Sequence, residues 1–142
     1  MARQISLPVF LFLSFNAFSG IVPDAVQKAF NARFPGVGEV SWERQHPKGF
    51  IAEFIFEGKN TKANYSFEGK WIETITEIAI SELPISVKET ILSFYPDWKI
   101  VVAGKIENPT SQVFYKTAIQ KELRLQEIIL KEEGTLLIVG LE

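Results

Sequence analysis

The stretch "LPISVKETILSFYPDW" (residues 83–98) decides the fold, because the chain carries a second version of it. Sixty-one positions earlier the sequence reads "VPDAVQKAFNARFPGV" (22–37). Pro23 matches Pro84, Val26 matches Val87, and Pro35 matches Pro96. Val22, Phe30 and Phe34 correspond to Leu83, Ile91 and Tyr95, which are similar in kind. The first version reads as a helix over 22–34, with apolar residues at 22, 26, 29, 30 and 34 on one side and Arg33 at its edge. Pro23 is tolerated in the first turn, where its missing N–H would have no partner anyway. Asp24 puts a negative charge at the positive end of the helix dipole. Pro35 ends the helix by pushing the preceding residue out of the helical region. The second version repeats these devices, with Ser86 and Glu89 at capping-box spacing.

Strand-like runs follow each helix. After the first come "EVSWER" (39–44), "FIAEFIFE" (50–57), "KANYSF" (62–67) and "WIETITEIAI" (71–80). The breaks between them, "QHPKG", "GKNT" and "EGK", hold the Gly, Pro and Asn of tight turns. After the second helix come "KIVVAGKI" (99–106), "QVFYKTAIQ" (112–120), "LRLQEIIL" (123–130) and "TLLIVGL" (135–141). The expected fold class is therefore α+β: two tandem α-β-β-β-β repeats, about 22–80 and 83–141, in one domain. One such unit covers its own sheet poorly, and two side by side cover it better. The helix spacing of 61 grows to 65 between Gly69 and Gly134, so the second repeat must absorb four extra residues.

Alternation assigns the faces. Phe50, Ala52, Phe54 and Phe56 point one way, and Ile51, Glu53, Ile55 and Glu57 the other. The first set belongs to a broad antiparallel sheet packed under helices on one face. The second set lies on a face left to solvent or to a partner.

Composition sets the remaining bounds. The chain has 142 residues, 46% of them hydrophobic, with twelve Phe, three Tyr and three Trp, enough for a real core in a single domain. The formal net charge is -2 and no long run has one sign, which argues against a nucleic-acid partner or a polybasic membrane patch. Residues 1–19 differ from the rest: Arg3 precedes an apolar run from Ile5 to Phe18, and Ala17-Phe18-Ser19 is a small-x-small triplet. That is the form of a secretory signal peptide, with the mature domain at 20–142 and the protein periplasmic or secreted. The run is short of the roughly 20 residues of a membrane span, so no membrane anchor is expected after removal of the signal. No cysteine is present, so the fold must be held by its core without disulfides.

No constellation for catalysis emerges. His46 is the single histidine and sits in the turn "RQHPKG", where an exposed loop role fits best. Without cysteine, histidine–cysteine metal sites are excluded. Glu132-Glu133 before Gly134 reads as a solvated turn rather than the six or more converging oxygens of a calcium site. No glycine pattern cradles a phosphate, so no cofactor is expected. Trp42, Trp71 and Trp98 are the unusual resource. They either pack the sheet edges or anchor a partner.

The repeated helix ending in Phe34-Pro35 or Tyr95-Pro96 is joined by Trp42, "FIAEF" (50–54), "GKWIET" (69–74) and Leu83-Pro84. Together these resemble the secreted PepSY-like family of Bacteroidota, also described as β-lactamase-inhibitor-like. The likeness covers about residues 21–141. It departs at the last hairpin, which has Gly134-Thr135-Leu136 where the first repeat has Gly69-Lys70-Trp71. The resemblance implies two helix-plus-four-strand units and an extracytoplasmic place, and it transfers no catalytic residue. In inhibitors of this shape the open sheet face grips a partner enzyme, an analogy of fold alone. The expected function is a non-enzymatic binding module that contacts an extracytoplasmic protein or peptide. Ile51, Glu53, Ile55 and Glu57 are the candidate contact residues, with Trp42 and His46 at a rim. The alternative is a carrier holding a small apolar ligand in a cavity lined by Phe54, Phe56, Tyr65 and Phe67. A filled core beneath an open, mixed face would favour the binding module.

Overall fold

A computed structural model of the chain describes residues 20–141. The expected signal segment, 1–19, lies outside the described residues. The order is α1 (Asp24–Arg33), β1 (Val40–Gln45), β2 (Gly49–Phe56), β3 (Lys59–Tyr65) and β4 (Trp71–Ile78). A 3₁₀ turn (Ile80–Glu82) leads to α2 (Ile85–Phe94), β5 (Lys99–Glu107), β6 (Val113–Lys121), β7 (Arg124–Lys131) and β8 (Leu136–Leu141). All eight strands pair antiparallel in one sheet, in the order of the sequence. The two halves meet where β4 pairs with β5, Thr74 opposite Glu107 and Ile78 opposite Ala103.

Both helices start where proline leaves the helix. Pro23 and Pro84 are the N-caps, and the carbonyl of Pro23 accepts from the N–H groups of Val26 (3.0 Å) and Gln27 (3.1 Å). The Ser86–Glu89 capping box does not form. Ser86 is two residues past the N-cap, too deep in the helix to cap it, and its hydroxyl donates instead to the carbonyl of Glu132 at 2.6 Å. Thr90, one turn on, donates to the carbonyl of Gly134 at 2.7 Å, so α2 holds the β7–β8 turn through two side chains. The reciprocal half of a capping box occurs at the 3₁₀ turn, where the N–H of Ala79 donates to Glu82 Oε1 at 3.2 Å. That turn also ends the fourth strand at Ile78 rather than residue 80.

The two glycines matched in sequence do the same work. Gly69 has φ +88° and lies against the carbonyl oxygen of Ala25; Gly134 has φ +95° and lies against that of Ser86. Ala25 and Ser86 are themselves 61 positions apart. Each hairpin thus ends in a left-handed residue that presses on the first turn of its helix, where only glycine leaves room. By the ends of the second strands, Phe56 and Lys121, the offset is 65. The extra residues lie in β5, nine residues against six in β1, and in the loop that follows it.

Each helix seals a core of its own on the same side of the sheet. Val26, Phe30 and Phe34 of the α1 segment pack on Phe50, Ala52, Phe54, Ala63 and Tyr65. Val87 and Ile91 of α2 pack on Ala103, Tyr115, Ile119, Ile128 and Leu130. The aromatic rings fill the first core by touching one another. Phe30 and Phe54 are 4.8 Å apart edge to face, Phe34 and Phe54 4.7 Å, and Phe34 and Phe56 5.1 Å.

Tyr65 is the polar exception in that core. Its ring is 1% exposed and its hydroxyl has no hydrogen-bond partner among the described residues. Burial pushes its pKa up to about 12, opposed by the nearby charge of Arg33. The phenol is thus held protonated in the folded state, and the unfolded chain loses its proton first. Stability should be intact below pH 10 and should fall by about 2–3 kcal/mol as pH rises from about 10 to 12. Tyr65→Phe should abolish that fall. At neutral pH it should be neutral or stabilising by about 1 kcal/mol, because it removes a buried group with no partner. Denaturant melts of both proteins at pH 8 and pH 11 check this. A loss at pH 11 equal in both would assign the alkaline sensitivity to other groups.

Candidate functional site

Among the described residues the face opposite the helices has no layer above it, yet parts of it are buried. Ile106 is 6% exposed and Ala118 1%, although both point away from the helices. A flat, bare sheet would leave a central isoleucine open to water. Burial here requires the neighbouring side chains to lean inward, as on the concave side of a twisted sheet. Lys62 on β3 and Lys116 on β6 stand three strands apart, roughly 14 Å along a flat sheet. Even so, the charge of Lys116 acts on Lys62.

The register arranges this face in rows. One row runs Ser41–Glu53–Lys62–Ile75–Ile106–Phe114 across β1 to β6. An apolar centre (Ile75, Ile106) is thereby flanked by a carboxylate and a lysine on one side. On the other, Lys116 pairs with Glu127 at 2.5 Å. Asn64 donates to Glu73 Oε1 at 3.0 Å and Asn60 to Glu77 Oε2 at 2.8 Å, which fixes two further carboxylates. Desolvation holds the Glu53 carboxyl above the usual carboxylate range, against the pull of Lys62 and with a push from Glu43. Desolvation also holds Lys62 below the usual lysine range, opposed chiefly by Glu53. Charges partly stripped of water and spread around an apolar strip suit a polar, complementary surface that completes their solvation.

The six residues singled out in the sequence do not all meet there. Ile51 and Glu53 are half-buried on this face, and Ile55 stands on it 65% exposed. Glu57 does not continue their row. It occupies the turn after β2 with φ +51° and borders the helix side instead. Alternation ends at Phe56, which pairs with Lys59 across the two-residue turn Glu57-Gly58. Trp42 is also on the helix side, its ring 5.3 Å from Phe30 in an edge contact. His46 is exposed in the β1–β2 turn, 5.9 Å from the ring of Phe67. Lys62, Ile75, Ile106, Lys116 and Glu127 were missed. The alternation in "YKTAIQ" and "LQEIIL" carries the signal for Lys116 and Glu127, as "FIAEF" does for Glu53.

The helix side holds a cleft between the two cores, over β4 and β5. It measures about 320 Å³, and its floor includes Thr61, Thr74, Thr76 and Lys105. Arg33 borders it, stacked 3.2 Å above the Trp71 ring, while Trp71 Nε1 donates to Thr74 Oγ1 at 2.9 Å. Lys59 and Glu82 face each other at its mouth at 3.9 Å. No group of three or more His, Cys, Asp or Glu side chains able to hold a metal ion occurs among the described residues. No helix among them is long and apolar enough to cross a membrane.

No protein-family model matches the chain, and no curated protein does. Solved structures do. A protein described as periplasmic, from Bacteroides eggerthii, superposes with a TM-score of 0.77 at 19% identity, over 86% of this chain and 90% of the other. A DUF2874 family protein from Bacteroides ovatus gives 0.76 at 20% identity, over 87% and 89%. A BLIP-like protein from Bacteroides fragilis gives 0.70 at 22% identity, over 86% and 89%. Across nearly its whole described length, the chain therefore has the fold of these Bacteroides proteins, an eight-stranded antiparallel sheet carrying two helices.

Proposed function

We propose that this chain is an exported, non-enzymatic binding module that grips an extracytoplasmic protein or peptide on its helix-free sheet face. In this reading it is built from two tandem copies and belongs with the PepSY-like, β-lactamase-inhibitor-like proteins, in the periplasm or outside the cell. The observation that carries it is the half-desolvated array of Glu53, Lys62, Lys116 and Glu127 around Ile75 and Ile106, on a face that nothing among the described residues covers. Likeness to a BLIP-like protein supports the fold only, and the analogy in use of the face is ours. The rings of a carrier's cavity, Phe54, Phe56, Tyr65 and Phe67, are packed into or against the core, on Phe34, Phe30 and Phe50, which favours the binding module.

The test is capture from the native periplasm by wild type and two variants, read by mass spectrometry. Lys62→Glu reverses a charge on the helix-free face, and Lys105→Glu reverses one in the helix-side cleft. A partner retained by Lys105→Glu and lost by Lys62→Glu is the expected result. The opposite pattern would move the site to the cleft. Equal retention by both would remove the helix-free face from consideration.

A further inference from the structure

We infer that the cleft between the two cores binds a small zwitterion, a molecule of amino-acid size with a carboxylate close to an ammonium. The register builds the floor of that cleft. One row on the helix side runs Phe54–Thr61–Thr76–Lys105–Tyr115, from β2 to β6. Both ends of the row are core rings, and its middle three places are polar. In the next row Thr74 stands opposite Glu107, between Ala63 and Val113. The helices lie over the two cores, so the polar stripe runs between them. The hollow above it, about 320 Å³, is at the lower end of the roughly 300–1,000 Å³ of small-molecule sites.

Opposite charges border this cleft and stay apart. Lys59 and Glu82 face each other at the mouth. Arg33, Lys105, Glu57 and Glu107 also line it, two of each sign, and among the described residues none of the four forms an ion pair. Lys105 and Glu107 share one face of β5 roughly 7 Å apart, within reach of each other's side chains. Arg33 is held by its stack on Trp71, which is itself tied to Thr74 in the floor. Thr74 Oγ1 accepts that bond, so its own proton is left to give. The Thr76 hydroxyl makes no hydrogen bond among the described residues. Donors from Arg33, Lys105, Thr74 and Thr76 thus border one hollow with the Glu107 carboxylate beside them. A simple anion would be repelled by Glu107, and a simple cation by Arg33 and Lys105. A zwitterion answers both signs, its carboxylate toward the donors and its ammonium toward Glu107. Phe34, Phe56 and Ile78 add an apolar wall for a side chain. These residues are distinct from those of the helix-free face, so the two sites stand or fall separately.

Titration of the purified protein with L-phenylalanine, followed by amide NMR shifts, tests this. The shifts should cluster at residues 61, 74–76 and 105–107, with a dissociation constant on the order of 0.1 mM. Phenylalaninamide lacks the carboxylate and N-acetylphenylalanine lacks the ammonium. Each should bind at least about tenfold more weakly. Lys105→Met should weaken L-phenylalanine at least about tenfold with the rest of the spectrum unchanged. Glu107→Gln should erase the advantage of L-phenylalanine over its N-acetyl form. No shift at those residues with about 10 mM L-phenylalanine or L-leucine would overturn the proposal. So would shifts confined to other residues, or equal binding of L-phenylalanine and either derivative.

Discussion

Phe54→Ala should bring the protein close to unfolding, while Glu53→Ala, one residue away, should leave its melt in place. Phe54 is 4% exposed and touches the rings of both Phe30 and Phe34, so its removal empties the centre of the first core. Losing a ring of that kind costs roughly 3–5 kcal/mol. The whole stability of a domain is of the order of 5–15 kcal/mol. Glu53 points to the other face, where its carboxyl is held partly out of water rather than packed under a helix. Its loss should stay within about 0.5 kcal/mol. The measurement is a pair of denaturant melts. Equal destabilisation would mean that the sheet is covered on both sides and that the proposed contact surface is core.

The glycine pair should show the next largest effects. Gly69→Ala would place a Cβ 2.5 Å from the carbonyl oxygen of Ala25, and Gly134→Ala one 2.7 Å from that of Ser86. Both sites also have φ near +90°, which an L-residue resists by about 1–2 kcal/mol before any clash. Backbone cannot retreat as a flexible side chain does, so each helix must lift off its sheet. We expect a loss of at least about 3 kcal/mol at each site, similar in the two halves. Gly58 is the control: its φ is +77°, but a Cβ there meets nothing within 4 Å. Gly58→Ala should cost only about 1 kcal/mol. If Gly69→Ala and Gly134→Ala cost no more than Gly58→Ala, the contact between hairpin and helix contributes little to either core.

Much of this architecture was legible because it depends on short-range devices. Proline at each end of a helix, alternation within strands and glycine at the turns are local constraints, and all eight strand runs appear within a few residues of their expected bounds. What was not legible depends on contacts between elements. Ser86 had the spacing of a capping box, but the carbonyl of Glu132, 46 residues away, takes its hydroxyl. Glu57 kept the alternation of β2 on paper, yet the chain reverses at that residue. Trp42 had the look of a rim aromatic, and Phe30 draws it toward the core. The candidate surface was half legible for a related reason. Glu53 stands out in its aromatic run, whereas Lys62 and Lys116 come to one face only through the register of four strands, which no single strand encodes.

Lysine footprinting of the captured complex tests the contact surface most directly, because lysines mark both sides of the sheet. Lys62 and Lys116 lie on the helix-free face, and Lys59 and Lys105 border the helix-side cleft. Acylation of the free protein and of the complex, compared residue by residue, reads which side is covered. Our account requires Lys62 and Lys116 to lose reactivity severalfold on binding while Lys59 and Lys105 keep theirs. Protection of Lys59 and Lys105 with Lys62 and Lys116 unchanged would contradict it.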